Sequence, residues 1–383
     1  MSTAFAVDRE RREQRAAFAA WAEAHVAPHA AACDRDGTMV PALLGALRES
    51  GYPGATVGEE HGGAGLDDLA FGLLCAEVGR HCASTRSLLT VSNMVAHAIQ
   101  RWGTREQRRR WLPGLGSGGT LAAFCLTEPE VGSDAGAVRT ELAERDGGWS
   151  VTGRKRWVTG GLVADLFLVI GRAPAGPTAV LVERGAAGLA VAPVAERMLG
   201  LRAAMLADVD LDGCHVPREA TLGPPGLGFL QVANSALDHA RHGIAWGCAG
   251  IAEACVGLAA AHALIRRQFG APLADQQLVR RMLTRMTVDA RAARLLCEAA
   301  AVARAAREPE GDLQTMTAKY FAAHAAWRAA SHAVEILGGL GCSDRSPAER
   351  HLRDARVMRI VEGTDEIHEL AICELALREA SRP

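Results

Sequence analysis

The chain has 383 residues, a formal net charge of −2 and a pI near 6.7. This near-neutral balance argues against bulk electrostatic binding to nucleic acid or to an anionic membrane surface. The length allows one large domain or roughly two to three smaller ones. Because the sequence has no run of about 18 uncharged apolar residues and no apolar signal core near its N-terminus, we expect a cytoplasmic chain without a membrane span.

Cysteine and histidine are frequent but are not arranged for metal binding. The ten cysteines contain no CxxC pair, and several stand beside Ala, Leu or Gly in helical sequence. This placement suits small buried thiols in a reducing compartment. The thirteen histidines contain no HExxH array, and Pro28 interrupts the helix that would align His25 with His29. We therefore expect no metal site.

The residue pattern of the chain changes twice, which predicts three domains: 1–118, 119–225 and 226–383. The first domain is helical, with helices predicted at 17–26, 41–49, 66–78 and 88–102, followed by an arginine-rich stretch at 105–112. Glycine and proline then become more frequent, and short strands are predicted at 149–151, 166–170, 179–182 and 207–211. These strands indicate a small, barrel-like β domain rather than a βαβ series.

The last domain returns to helix. Helices are predicted at 229–267, 278–306 and 313–337, with a final helix that starts at Asp365. Three long antiparallel helices and a shorter one indicate a four-helix bundle. The fold class predicted is therefore mainly α with a central β domain.

One carboxylate stands out near the end of the chain. Glu362 lies between the apolar pair Ile360-Val361 and Gly363, just before a helix that Thr364 can cap. An apolar wall desolvates a carboxylate and raises its pKa, which suits a general base. A Glu before a capped helix is more often a solvated loop residue, so this run is a weak signal by itself.

Several motifs in order make the chain resemble the acyl-CoA dehydrogenase superfamily over essentially its whole length. They are the stretches 124–129 (FCLTEP) with 132–134 (GSD), 153–159 (GRKRWVT), 237–241 (LDHAR), 266–270 (RRQFG) with Gln277, 335–341 (EILGGLG) with Pro347, and 362–364 (EGT). The resemblance implies an FAD cofactor and an acyl-thioester substrate. It also implies that Glu362 is the catalytic base.

The same resemblance implies which residues bind each group. FAD contacts are implied for Phe124, Leu126, Thr127, Trp157, Thr159, Arg266, Phe269, Gln277, Glu335, Gly338, Gly339, Thr364 and Glu366. Substrate contacts are implied for Ser133, Asp238, Arg241 and Gly363. Some FAD contacts in the family come from a neighbouring subunit, so a homodimer or homotetramer is implied. The electron acceptor is implied to be another flavoprotein or oxygen.

Each of these residues also has an ordinary structural alternative. Trp157 suits a plain strand aromatic, and Arg266 suits a charge at a helix C-terminus. Gly338 and Gly339 suit a simple helix stop. Arg241, expected to support the substrate or the base, has a structural salt bridge as its alternative.

The chain departs from the family pattern at four positions. Glu335 replaces a usual Gln, Cys342 a usual aromatic, Gly160 a common Asn and Val361 a common Tyr. The change at 361 makes the wall beside Glu362 smaller, so the acyl pocket is expected to differ from that of a fatty-acyl enzyme.

Three stretches indicate a narrower branch of the family. Residues 81–90, 244–251 and 275–279 resemble dehydrogenases that act on acyl carrier protein thioesters in the synthesis of hydroxymalonyl or methoxymalonyl polyketide extender units. The alternatives are a conventional dehydrogenase of short or branched acyl-CoA, a flavin oxidase or monooxygenase on the same fold, and a flavin-less binding protein.

Overall fold

The computed structural model describes residues 9–380. Its N-terminal segment is helical, as the sequence predicts. The helices are α1 (Arg9–His25), α2 (Ala30–Asp36), α3 (Pro41–Glu49), α4 (Asp68–Gly79), α5 (Ala83–Trp102) and α6 (Arg105–Gly116). α2 was not predicted, since it has only seven residues and follows a proline. α5 starts five residues earlier than predicted, so Arg86 lies in its first turn.

The middle segment forms one mixed sheet. Its strands are β1 (Ala122–Cys125), β2 (Glu141–Arg145), β3 (Gly148–Val158), β4 (Leu166–Ala173), β5 (Gly176–Glu183), β6 (Leu189–Pro193), β7 (Ala207–Pro217) and β8 (Thr221–Leu222). The order is β6-β7-β3-β2-β4-β5-β8, with β1 paired to β4. β1 and β2 run parallel to β4, and the other pairs are antiparallel. The four predicted strands lie inside β3, β4, β5 and β7, whereas four shorter strands were not predicted.

The C-terminal segment contains α7 (Asn234–Ile265), α8 (Gln277–Ala305), α9 (Gly311–Leu337), α10 (Ala348–Met358) and α11 (Asp365–Ala380). A small hairpin of β9 (Arg267–Gln268) and β10 (Ala271–Pro272) joins α7 to α8. The prediction of one helix over 229–267 was wrong at its start, where Gly228–Ala233 forms a π-type turn. α10 was not predicted, because its sequence is rich in charged residues and follows a glycine-rich loop.

The helices of the C-terminal segment pack closely because their contact surfaces carry small side chains. α7 lies against α4, α5, α8 and α9. A Cβ added to Gly250 of α7 would stand 2.1 Å from the carbonyl oxygen of Ala76 on α4, so only glycine allows this approach. Packing through alanine and glycine agrees with the low aromatic content of the chain, 4%.

The stretch Gly228–Ile265 is also long and apolar enough, by length and composition alone, to cross a membrane. Its contacts with five other helices, α4, α5, α8, α9 and α10, are those of a central bundle helix. Eight of the ten cysteines are buried, whereas Cys342 and Cys373 are exposed. Between residues 9 and 380, no group of three or more His, Cys, Asp or Glu side chains is placed to hold a metal ion.

Candidate active site

Glu362 lies on the short connection between α10 and α11. Its backbone is left-handed, with φ 57°, and Gly363 follows with φ 105°. A left-handed non-glycine residue costs roughly 1–2 kcal/mol, so the surroundings must hold it. Thr364 Oγ1 accepts a long hydrogen bond of 3.5 Å from the N–H of Ile367, in the capping position that the sequence predicts.

Two buried cations hold the backbone of this connection. Arg241 on α7 donates from Nε to the carbonyl oxygen of Glu362 at 2.9 Å. Lys319 on α9 donates from Nζ to the carbonyl oxygen of Gly363 at 2.8 Å. Neither cation forms an ion pair with a carboxylate of residues 9–380. The structure therefore places Arg241 on the base-bearing backbone, and the salt-bridge alternative for it was wrong.

Glu362 as a whole is half-buried, and one oxygen of its carboxyl group, Oε2, is shielded from solvent. Burial raises its pKa, and the charges of Arg241, Lys319 and Arg86 oppose that rise. Its Oε2 is buried and has no hydrogen-bond partner among the described residues. An unpaired buried polar oxygen is costly. Such an oxygen, on a group whose pKa lies above the usual carboxyl range, can accept a proton from a molecule that enters beside it.

Burial also lowers the pKa of Lys319, to about 8. The ammonium charge is therefore present below that pH and is lost as the pH rises through it. We expect the rate of substrate-dependent flavin reduction to fall above pH 8, because the neutral amine holds Gly363 less strongly. Lys319→Met should remove this alkaline limb. It should also lower the rate about 10-fold, which corresponds to the free energy of one charge-assisted hydrogen bond.

The measurement is the pH profile of anaerobic flavin reduction for wild type, Lys319→Met and Lys319→Arg. Arginine keeps its charge at every accessible pH, so the Lys319→Arg profile should stay level to higher pH. An alkaline limb that persists in Lys319→Met would assign it to another group.

A second group of predicted site residues lies at one end of the β sheet. Thr127 follows β1, and Trp157 and Thr159 lie at the end of β3; the N–H of Arg156 donates to the carbonyl oxygen of Thr127 at 2.9 Å. Trp157 is 46% exposed with φ 53°. No hydrogen bond among the described residues uses the hydroxyl of Thr127 or Thr159. An exposed indole and two hydroxyls without hydrogen-bond partners suit contact with a flat polar ring. These residues therefore fit a flavin better than they fit the alternative of an ordinary strand aromatic.

The Thr127 segment is anchored by a buried network that the sequence analysis missed. Lys155 of β3 is fully buried and donates to Glu128 Oε1 at 2.7 Å and to the carbonyl oxygens of Leu126 and Ile170 at 3.1 and 2.6 Å. The Glu128 carboxylate also accepts from the N–H of Arg139 and of Thr140. Phe124 and Leu126 pack partly buried on the cluster between α5 and the sheet. The alternation of inward and outward side chains along β3 could have indicated that Lys155 points into the protein.

A third set of predicted residues lies apart from Glu362 in the single chain. Arg266 and Phe269 are exposed on the connection between α7 and α8, where Phe269 is 96% exposed, and Gln277 is exposed at the start of α8. Glu335 is exposed at the end of α9, where it pairs with His332. Gly338 is the residue that ends α9, with φ 61°, as the helix-stop alternative expects, and Gly339 is open to solvent.

The remaining predicted residues have varied surroundings. Asp238 forms a buried ion pair with Arg304, and its Oδ1 lacks a partner. Ser133 is exposed on the loop after β1, and Glu366 is exposed on the first turn of α11. The chain thus brings Arg241, Gly363 and Thr364 to Glu362. It leaves the residues of the third set at its surface.

Comparison with known proteins identifies the class. Models of the acyl-CoA dehydrogenase N-terminal, middle and C-terminal domains match residues 8–119, 123–214 and 228–377. The chain belongs to the acyl-CoA dehydrogenase family. Members are FAD-dependent oxidoreductases that act on acyl thioesters, which confirms the predicted class, fold class and cofactor.

Individual relatives are similar over nearly the full length. The mitochondrial short-chain specific acyl-CoA dehydrogenase of Mus musculus is 36% identical over 364 residues, which cover 94% of this chain and 88% of that protein. Butyryl-CoA dehydrogenase from Megasphaera elsdenii superimposes with a TM-score of 0.94 at 30% identity, over 99% of this chain and 100% of the other. FkbI, described for biosynthesis of the methoxymalonyl extender unit of the polyketide Fk520, gives 0.88 at 35% identity, over 94% and 99%.

Proposed function

We propose that the chain oxidises a small acyl thioester across its α and β carbons, with Glu362 as the base. The observation that carries this proposal is the buried, unpartnered Oε2 of Glu362 on a backbone held by Arg241 and Lys319. Fixing the backbone on both sides of the base fixes the direction of its carboxyl group.

In the proposed mechanism Glu362 Oε2 accepts the α-proton of the thioester. The backbone N–H of Glu362 donates to no described acceptor, so it can polarise the thioester carbonyl and stabilise the developing enolate oxygen. Bound FAD would supply the acceptor for the β-hydrogen, which leaves as a hydride, and Thr127, Trp157 and Thr159 would hold its ring. Arg241 and Lys319 fix the position of the base relative to this N–H. Gly363, with its positive φ, lets the chain turn into α11.

We propose that the FAD ring lies against Phe124, Leu126, Thr127, Trp157 and Thr159. The exposed third set, Arg266, Phe269, Gln277, Glu335, Gly338 and Gly339, is proposed to bind the FAD of a second subunit, in a homodimer or homotetramer. An apolar stripe on α8, formed by the exposed Val288, Leu295 and Val302 at seven-residue spacing, supports such assembly. Light scattering of the purified protein tests it, and a monomer would contradict it.

The narrower proposal is a carrier-protein-bound acyl group in polyketide or related secondary metabolism. The likeness to FkbI at 35% identity supports it. So does the small side chain beside the base, because Val361 stands where the family commonly has Tyr. The alternative is a short-chain acyl-CoA, supported by the 36% identity to the mouse enzyme. We further propose a cytoplasmic enzyme that passes electrons to an electron-transfer flavoprotein, with oxygen as the alternative.

Anaerobic flavin bleaching with matched acyl-CoA and acyl-carrier-protein thioesters tests these proposals. Faster bleaching by a carrier-borne glyceryl-type group supports the narrower proposal, whereas faster bleaching by butyryl-CoA supports the alternative. Peroxide formed in air without an acceptor protein would indicate an oxidase. A colourless protein that stays colourless after addition of FAD would indicate a flavin-less binding protein.

A further inference from the structure

A cleft with a volume of about 660 Å³ lies between α2, α7, the start of α10 and the loop that precedes α10. Its volume is within the usual range for sites that bind small molecules. None of the residues assigned above to the acyl thioester, to FAD or to the base lines it. We call it the arginine cleft, because six arginines line it: Arg35, Arg80, Arg197, Arg202, Arg345 and Arg350.

Three carboxylates also line the arginine cleft, but two of them are already neutralised from behind. Arg353 on α10 binds both, with Nη2 at 2.6 Å from Asp34 Oδ2 and Nε at 2.7 Å from Glu349 Oε2. The third, Asp344, is exposed. Three of the six arginines have a carboxylate partner, whereas no ion pair within residues 9–380 involves the other three, Arg197, Arg345 and Arg350. The arginine cleft therefore has an excess of positive charge.

Arg350 is the buried member of this set. It lies in the first turn of α10 and is 9% exposed. Its Nη2 donates to the carbonyl oxygen of His81 at 3.0 Å, and its Nε is buried without a hydrogen-bond partner among the described residues. Burying a charged donor that lacks an acceptor is costly. Such a guanidinium is expected where a ligand supplies the missing acceptor.

The backbone at the start of α10 offers further donors beside this guanidinium. α10 has 11 residues, and the buried Ser346, which lines the arginine cleft, accepts the N–H of Ala348 on its Oγ at 3.3 Å. The N–H groups of Glu349 and Arg350 donate to no acceptor among the described residues. Free N–H groups and the helix dipole favour an anion at this end of a helix.

The arginine cleft is distant from the place where a thioester would meet the base. Its wall on α7 is formed by Ala254 and Leu258, which come 13 and 17 residues after Arg241. At 1.5 Å per residue, this is a distance of about 20–25 Å along the helix. The facing wall carries Ala27 and Ala31, so this part of the arginine cleft is apolar. A ligand held here would have a charged end at α10 and an uncharged body along the alanines.

We propose that the arginine cleft binds a small phosphate monoester, with its phosphate at Arg350 and the start of α10. A phosphate monoester carries close to two negative charges at neutral pH and has three strong acceptor oxygens. The planar fork of a guanidinium matches these oxygens, and Arg197 and Arg345 at the rim supply further charge. A carboxylate, with one charge and two oxygens, would use fewer of these donors. This site is separate from that of the acyl thioester and does not depend on the proposed function.

The test is titration calorimetry of the FAD-loaded wild-type protein at about 0.1 M salt, so that distant surface charges are screened. The probes are phenyl phosphate, benzoate and inorganic phosphate. We expect phenyl phosphate to bind about 10-fold more tightly than inorganic phosphate, because its ring is buried along the alanines. It should also bind about 10-fold more tightly than benzoate, which makes fewer charge-assisted hydrogen bonds. Equal affinities for the three probes, or no binding at millimolar concentration, would overturn the proposal.

Arg350→Gln should weaken the binding of phenyl phosphate by about 10- to 100-fold, the range for a hydrogen-bonded charge. The double variant Arg197→Gln with Arg345→Gln should weaken it by about four- to 25-fold, since each exposed charge contributes about two- to fivefold. The double variant alters exposed side chains only, so it remains informative if Arg350→Gln does not fold. Arg356→Gln is the matched control, because Arg356 is exposed on α10 but does not line the arginine cleft. Wild-type affinity in both test variants would refute the assignment.

Thermal unfolding provides a readout without catalysis. Saturating phenyl phosphate should raise the Tm of the wild-type protein and of Arg356→Gln, and it should raise that of Arg350→Gln much less. Flavin absorbance recorded before and after the titration should show that FAD stays bound. If phenyl phosphate bound only after FAD had been removed, the arginine cleft would belong to the FAD of a neighbouring subunit, and the proposal would fail.

Discussion

Replacing Glu362 by glutamine is expected to lower the rate of substrate-dependent flavin reduction by about 10²- to 10⁴-fold, the usual contribution of a general base. The amide is close to the carboxylate in size, and Arg241 and Lys319 hold the backbone rather than the side chain. The loop should therefore keep its conformation, and the loss should fall on proton abstraction. The measurement is single-turnover bleaching of the flavin by stopped flow.

The matched control is Glu374→Gln, on the helix α11 that follows the same connection. Glu374 is exposed and has no assigned role, so its substitution should leave the rate within about twofold of wild type. Bound flavin should remain stoichiometric in both variants. If Glu362→Gln bleached at the wild-type rate, the proton would have another acceptor and the mechanism would need a different base.

The pH dependence of the wild-type rate is a second test of the same assignment. Burial raises the pKa of Glu362, and the base acts only when ionised. The rate of reduction should therefore rise with pH through a value above the ordinary carboxyl range, and Glu362→Gln should lose this acid limb. With the alkaline limb expected near pH 8 from Lys319, the wild-type profile should be bell-shaped.

The sequence predicted the parts of the site that depend on local pattern. The glycine after Glu362, the capping Thr364 and the apolar residues before the base are neighbours in the chain, so a short run contained them. The long helices α8 and α9 were predicted to within two residues at each end, because their periodic patterns are long and bounded. α10 was missed because its buried residues, such as His351 and Asp354, are polar.

Lys319, the second cation that holds the backbone at the base, could not be predicted in this way. It lies on α9 and Glu362 on the connection after α10, so only the tertiary fold brings them together. One compositional signal was available. The chain contains 40 arginines and only two lysines, Lys155 and Lys319, and both lysines are fully buried. A compact ammonium suits both positions: that of Lys155 reaches three acceptors, and that of Lys319 reaches the carbonyl oxygen of Gly363.

Replacing Lys155 by methionine is expected to lower the free energy of unfolding by about 3–5 kcal/mol, the usual cost of removing one partner of a buried ion pair. Glu128 is 3% exposed and would lose its cation, and the carbonyl oxygens of Leu126 and Ile170 would lose a donor. The measurement is urea unfolding of the FAD-loaded protein. Arg154→Met is the control, because its side chain is 53% exposed on the same strand and should change stability by less than about 0.5 kcal/mol.

The double variant Lys155→Met with Glu128→Gln separates the charge from the packing. It removes the unpaired carboxylate, while the Gln carbonyl can still accept from the N–H of Thr140 or of Arg139. We expect it to recover a large part of the lost stability, since an unpaired buried charge costs more than an absent pair. Because the network also anchors Thr127, Lys155→Met should bind FAD more weakly than Arg154→Met. An unchanged urea midpoint and unchanged FAD affinity in Lys155→Met would show that neither the sheet end nor the flavin depends on this lysine.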